Sequence, residues 1–268
     1  MKKIILVILV AITGTIVAQE KKPKLVVGIV VDQMRYDYLD RFWNKFGDDG
    51  FKKLINNGFN CKNTHFNYMP TYTAPGHASI YTGTTPENHG IIGNSWFDKK
   101  AKKYTYCTVD TSVLTIGSGS KNGLMSPKNL IATTITDELK LATNFKGKVI
   151  AVSLKDRGAI LPGGHKADGA YWYDGGNEGK WITSTYYMDE MPKWVQNVNT
   201  KNTANKYLGE DWNTLLPIAE YTESIDDDNH YEGNFTGEEK PTFPHNLPLL
   251  RDSNDNYSLI KASPFGNT

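Results

Sequence analysis

Cysteine is nearly missing from this sequence: Cys61 and Cys107 are the only two in 268 residues. One disulfide is therefore the most the chain can form, and two single thiols are the alternative. A long apolar run is missing as well. The stretch from Ile4 to Val17 covers fourteen residues, short of the roughly 20 that a membrane-spanning helix needs. No cysteine follows it to carry a lipid, which argues against a lipoprotein anchor. Neither charge sign dominates, with 30 basic and 29 acidic residues. That balance argues against a general nucleic-acid or membrane-surface role. Internal repeats are absent too.

What is present begins with Lys2 and Lys3 ahead of that apolar run, followed by Ala18-Gln19. This is the pattern of a secretory signal peptide over residues 1–18, with Ile16 and Ala18 at the −3 and −1 positions of the cleavage site. Its removal takes two lysines and leaves 28 basic against 29 acidic residues, a net charge of −1. The expected destination is the periplasm or the medium, with no stable membrane anchor after cleavage. The sequence as a whole has an ordinary soluble composition, 39% apolar and 22% charged. It is long enough for a single large α/β domain, with or without an insertion.

Residues 24–34, Lys-Leu-Val-Val-Gly-Ile-Val-Val-Asp-Gln-Met, read as a strand buried on both faces, which places Asp32 at its carboxyl edge. Tyr36, Leu39, Trp43 and Phe46 recur at helical spacing, and a second helix around Phe51, Leu54 and Ile55 closes at Gly58 as a C-cap. Phe59 to Met69 reads as extended, and Tyr104 to Val109 alternates as a strand should. Ser126-Pro127 opens an expected helix with Leu130, Ile131, Ile135, Leu139 and Ala142 on one face. Lys148 to Leu154 is another buried-looking strand, which puts Lys155 and Arg157 just past its end, the same edge as Asp32. This order predicts an α/β fold, a mostly parallel sheet flanked by helices.

Composition changes after Ile160. Residues 161–245 are rich in Gly, Asn, Tyr and Trp, with short helices expected at 191–197 and 211–215. Residues 19–160 thus read as the N-terminal part of the α/β domain. Residues 161–268 read as an inserted capping region and the start of the remainder of the same domain. The run Asp226-Asp-Asp228 reads as a solvated acidic loop rather than a calcium site. His230 and His245 read as surface residues, and His65 and His165 carry no convincing metal-ligand spacing.

The chemistry concentrates in two segments. The first runs Thr71-Tyr-Thr-Ala-Pro-Gly-His-Ala-Ser-Ile80 and continues through Thr-Gly-Thr-Thr-Pro-Glu-Asn-His-Gly-Ile-Ile-Gly-Asn94; the second is Ser153-Leu-Lys-Asp-Arg-Gly-Ala-Ile160. Taken singly, Asp32 reads as a helix cap or turn residue, Thr73 as an N-cap, Asn94 as a turn residue, and Lys155 and Arg157 as a solvated loop. Together the segments resemble the alkaline phosphatase superfamily. The resemblance is to its threonine-nucleophile branch, which holds the PafA-type bacterial alkaline phosphatases and the nucleotide pyrophosphatase/phosphodiesterases. The Lys155/Arg157 pair is similar to the monoesterase signature of that branch.

The resemblance implies a site residue by residue. Thr73 is the phosphorylated nucleophile, and Asp32 and Thr73 contact the zinc that activates it. Asn94, Lys155 and Arg157 bind the phosphoryl oxygens. It also implies two zinc ions (Zn2+), with the remaining ligands expected outside this chain, which reads as the N-terminal half of a longer protein. His77 is expected to pack or cap within its helix, and His89-Gly90 to serve as scaffold. The implied activity is hydrolysis of small phosphate monoesters through a phosphothreonine intermediate. A phosphodiesterase or nucleotide pyrophosphatase, and a non-catalytic fold that holds phosphate weakly, are the alternatives.

Overall fold

The computed structural model describes residues 23–175, 179–235 and 237–250. The expected signal peptide and the end of the chain lie outside the described residues. The chain divides into two units, residues 1–34 and 35–268.

In the first unit the expected strand does not form: residues 23–31 carry no strand assignment. Leu25, Val26, Val27 and Ile29 are 68–77% exposed. A strand holds its shape through a neighbour's hydrogen-bond ladder, and an apolar run without one has no reason to stay regular. Asp32 sits in a turn, where its Oδ1 accepts the Gln33 N–H at 3.0 Å. Gln33 takes a left-handed φ of 61°.

The second unit opens with a short helix, α1 (Asp37–Arg41), and a 3-10 turn at Trp43–Lys45. The expected stripe is thus broken at Phe42, whose φ and ψ of −100° and 13° leave the helical region. Helix α2 (Phe51–Asn57) ends at Gly58 as expected, but in an extended conformation (φ −115°) rather than a left-handed cap. Glycine is needed there for space, since a Cβ would lie 2.5 Å from the Leu54 carbonyl oxygen. Helices α3 (Thr73–Thr82) and α4 (Pro86–His89) both end on left-handed glycines, Gly83 and Gly90.

Strands β1 (Ser95–Asp98) and β2 (Lys103–Tyr106) form an antiparallel hairpin. The helix expected from Ser126 starts instead at Ile135 (α5, Ile135–Ala142), behind a capping box. Thr134 Oγ1 accepts the Asp137 N–H at 3.1 Å and Asp137 Oδ2 accepts the Thr134 N–H at 3.0 Å. Residues 126–134 are spent on core contacts: Ser126 Oγ donates to Asp110 at 2.7 Å and Leu130 is buried. Ile131 and Ile135 point to solvent.

The larger sheet has the order β3-β6-β5-β4, from β3 (Thr115–Ile116), β4 (Ile150–Ser153), β5 (Gly169–Asp174) and β6 (Lys180–Ser184). β4 and β5 run parallel, and the other two pairings are antiparallel. Residues 169–184, expected in the inserted region, therefore supply the two inner strands of this sheet. Helix α6 (Asp156–Gly163) follows β4 and packs on α3, β4 and β5. Helix α7 (Lys193–Thr200) lies slightly later than expected. No helix forms at 211–215; Trp212 pairs there with His245 in an isolated antiparallel bridge. The α/β class holds, with few-stranded sheets flanked by helices. Its core has two main clusters. One joins Ala74, Ala78, Ile91, Cys107, Leu130 and Leu161. The other joins Ala159, Ile160, Ala170, Trp172 and Ile182.

Candidate active site

Thr73 is the first residue of α3, not its cap; Tyr72 holds the cap position, without a side-chain hydrogen bond. The first-turn amides of a helix have no partner within it, and here one of them is taken from outside. The Ala74 N–H donates to Asn94 Oδ1 at 2.9 Å. That bond brings Thr73 and Asn94 together, although they are distant in sequence. Asn94 is itself tied down, because its carbonyl accepts the Cys107 N–H at 3.0 Å just beyond β2. With the amide oxygen engaged, the Nδ2 arm of Asn94 is the one that can donate elsewhere. Pro75 fits in the first turn, where a missing N–H costs nothing.

Both histidines of this segment are committed to the scaffold. His77 Nδ1 donates to the Thr73 carbonyl at 2.8 Å, since a carbonyl only accepts. The His89 ring is fully buried: its Nδ1 accepts the Ile91 N–H at 3.1 Å and its Nε2 donates to Ser79 Oγ at 2.9 Å. Burial lowers the His89 pKa, so the ring is neutral at pH 7.

Arg157 lies in the first turn of α6 and Lys155 is the exposed cap residue before it. Gly158 lets α6 lie close to the end of β4: a Cβ there would lie 2.4 Å from Ser153 Oγ, whereas His77 Nε2 on α3, at 3.9 Å, would be in ordinary contact. Arg157 Nη1 donates to the Tyr106 hydroxyl at 3.0 Å, and that hydroxyl donates to Asp156 Oδ1 at 3.0 Å. Thr108 Oγ1 donates to the other Asp156 oxygen. Among the described residues, the buried Arg157 Nε has no hydrogen-bond partner. Burial opposes the Arg157 charge, but Tyr106 and Asp156 outweigh it and raise the pKa. Burial, and then the Asp156 charge, push the Tyr106 hydroxyl far up and the buried Cys107 thiol up to about 12. Sequence reasoning missed Tyr106, Thr108 and Asp156. The one available signal was Asp156 standing between Lys155 and Arg157.

Asp32 belongs to the first unit and the other four candidates to the second. Each unit thus carries one of the two expected metal ligands, Asp32 in the first and Thr73 in the second. Zinc sites normally use three or four protein ligands, so two expected ligands are fewer than such a site needs. Among the described residues no group of three His, Cys, Asp or Glu is placed to hold a metal ion. Asp226 and His230 do stand at an Asp-x-x-x-His spacing, although no such pair was expected after Lys155. The segment is an exposed loop held by its own contacts. Asp228 pairs with Lys240, Asp227 accepts the Phe243 N–H at 2.8 Å, and His230 stacks on Tyr231. His245 is not a surface residue: it is 6% exposed and donates to Glu238 at 3.0 Å among Trp212, Phe235 and Phe243. The two cysteines are unpaired, with Cys61 exposed and Cys107 buried, so no disulfide forms.

The chain is 56% identical over 247 residues to alkaline phosphatase PhoV of Synechococcus elongatus, covering 92% of this chain and 44% of the relative. It is 52% identical over 255 residues to a calcium-transporting ATPase of Myroides odoratus, covering 94% and 46%. The crystal structure of wild-type alkaline phosphatase PafA superposes with a TM-score of 0.86 at 51% identity, over 92% of this chain and 47% of that one. A PafA variant altered at one threonine, one asparagine, one lysine and one arginine superposes equally well, with a TM-score of 0.86 at 49% identity over 92% of this chain and 48% of that one. The chain spans about half the length of these relatives. Residues 26–246 match the family profile of type I phosphodiesterase / nucleotide pyrophosphatase, and the chain belongs to that family, within the alkaline phosphatase superfamily.

Proposed function

We propose that the complete protein is an exported, zinc-dependent phosphatase that hydrolyses small phosphate monoesters through a phosphothreonine intermediate. The observation that carries this reading is the Ala74–Asn94 bond. It sets a hydroxyl nucleophile and an amide donor side by side at the start of a helix, where the dipole favours an anion. Arg157 stands on the helix packed against that one. The altered threonine, asparagine, lysine and arginine of the PafA variant are the same four residue types, in the same order, as Thr73, Asn94, Lys155 and Arg157.

In this reading the Thr73 oxygen attacks phosphorus in line with the departing alkoxide, and water then hydrolyses the threonine ester. Asn94 donates to one non-bridging oxygen, while Lys155 and Arg157 balance the charge on the others. Bound zinc would lower the pKa of the Thr73 hydroxyl, with Asp32 and Thr73 as two of its expected ligands. Two cations beside the transferred group suit a dianionic monoester better than a singly charged diester. That favours the monoesterase over the diesterase, while the non-catalytic reading leaves this arrangement unexplained.

The test is steady-state hydrolysis of an aryl phosphate monoester and an aryl phosphate diester by the complete protein, before and after chelation. Monoester preference, lost with chelator and restored by zinc, is expected. Diester preference, or turnover that survives metal removal, overturns the proposal. For export, the mature protein is expected to begin at Gln19, and a mass that retains residues 1–18 refutes that part.

A further inference from the structure

Asp156 and Arg157 are neighbours on one helix, and adjacent helical residues do not face each other. They are joined all the same through a residue from another element. The Tyr106 hydroxyl has one hydrogen, which goes to Asp156 Oδ1, and its lone pairs then face Arg157 Nη1. The direction is set by Asp156, whose two oxygens both accept, one from Tyr106 and the other from Thr108. Neither donor can be reversed while the carboxylate is ionised. The Tyr106 ring packs against the cluster of Ala74, Ile91 and Cys107, so the hydroxyl is presented from a fixed place. Arg157 is consequently held at one end of its guanidinium, and its buried Nε–H has no acceptor among the described residues. Such a donor is rarely left unmatched without a reason.

We propose that Tyr106 is a positioning residue for phosphate-monoester recognition. Oriented by Asp156 and Thr108, its hydroxyl holds the Arg157 guanidinium in the rotamer that meets the second negative charge of a monoester. The proposal rests on the phosphatase reading above and adds to it the part that sets substrate class. Tyr106 touches no reacting atom. Its effect passes through Arg157 alone, and that dependence separates it from a residue that merely supports the fold.

The experiment is a double-mutant cycle in the complete protein with Tyr106→Phe, Arg157→Ala and the pair, assayed on an aryl phosphate monoester and an aryl phosphate diester. Wild-type monoester turnover tests the underlying reading, and its absence overturns both. Given that turnover, Tyr106→Phe is expected to lower monoester kcat/KM roughly tenfold, the scale of one hydrogen bond to a charged group. Diester kcat/KM should fall less than about twofold, and in the Arg157→Ala background Tyr106→Phe should add less than about twofold. Equal losses on the two substrates, or an undiminished cost without Arg157, refute the role. Should Tyr106→Phe fail to fold, Asp156→Asn carries the same comparison. A monoester-selective loss that disappears with Arg157 supports the proposal, and any other pattern refutes it.

Discussion

The side-chain oxygen of Asn94 holds the Ala74 amide at 2.9 Å, so the two arms of one amide have separate duties. The oxygen anchors α3, and in the proposed mechanism the nitrogen donates to substrate. Asn94→Asp keeps the acceptor and removes the donor, whereas Asn94→Ala removes both. Asn94→Ala should lose about 1–2 kcal/mol of stability, because Ala74 is fully buried and its N–H is left unpaired. Asn94→Asp should melt within a degree or two of wild type. Both should depress monoester turnover by roughly tenfold or more. Thermal melts run beside the kinetics decide this, and an Asn94→Asp variant as unstable as Asn94→Ala would sink the division of labour.

Thr73→Ala should remove the covalent intermediate and lower turnover by orders of magnitude, since a lost nucleophile is seldom compensated. Thr73→Ser retains the hydroxyl and should keep substantial activity. Quenching the reaction with labelled substrate and mapping the label locates the phosphoryl group, and label on any other residue refutes the assignment.

Gly158→Ala tests the contact between β4 and α6. The added methyl would meet Ser153 Oγ at 2.4 Å and Ser153 Cβ at 3.0 Å, so strand or helix must shift. Overpacking of this kind costs about 1–3 kcal/mol. Ser153→Gly in the same chain should return most of the loss, and a double variant no more stable than Gly158→Ala would contradict the steric account in denaturant titrations.

His165 and Asp137 give stability a pH dependence of known sign. His165 Nδ1 faces Asp137 at 3.2 Å and Nε2 faces the Leu130 carbonyl at 2.8 Å, so only the protonated ring satisfies both. The Asp137 hydrogen bond raises the His165 pKa above 6.5 against the opposing effect of burial. Its contribution is complete below the unfolded value and fades as pH rises through the folded one. Asp137 runs the other way. Burial would raise it, but His165, Thr134 and Lys166 hold it well below the usual carboxylate range. Its contribution is therefore present above about pH 4 and is lost as pH falls towards the depressed value. His165→Gln should cost roughly 1–2 kcal/mol below pH 6.5 and progressively less above it. Melting curves from pH 5 to 9 would show the gap between variant and wild type closing, and a constant gap would rule the titration out.

The start of α3 was legible in the sequence because its information is local, with Pro75 in the first turn behind Thr73; the short α4 (Pro86–His89) was not among the expected helices. The strand before Lys155 could be read in the same way, but residues 155–157 read as a loop, and the structure starts α6 at Asp156. Periodicity misled at residues 126–134, where Leu130 is buried from a loop and the capping box at Thr134 sets the helix start. It misled again at residues 24–31, whose apolar character describes a strand only when another strand lies beside it. The clamp on Arg157 was invisible because Tyr106 and Arg157 lie 51 residues apart and meet through packing that no local pattern encodes. His245 was misplaced for the same reason, its cage being assembled from Trp212, Phe235 and Phe243.

The unequal settings of the two cysteines give the chain a built-in gauge of its own integrity. Cys61 is open to solvent, whereas Cys107 is sealed and its thiol is pushed up to about 12, so the reactive thiolate is scarce. A thiol reagent should count one group on the native protein and two once the strand end around Tyr106 has opened. The second count thus reports whether the ground beneath Arg157 is still intact, without any assay of turnover.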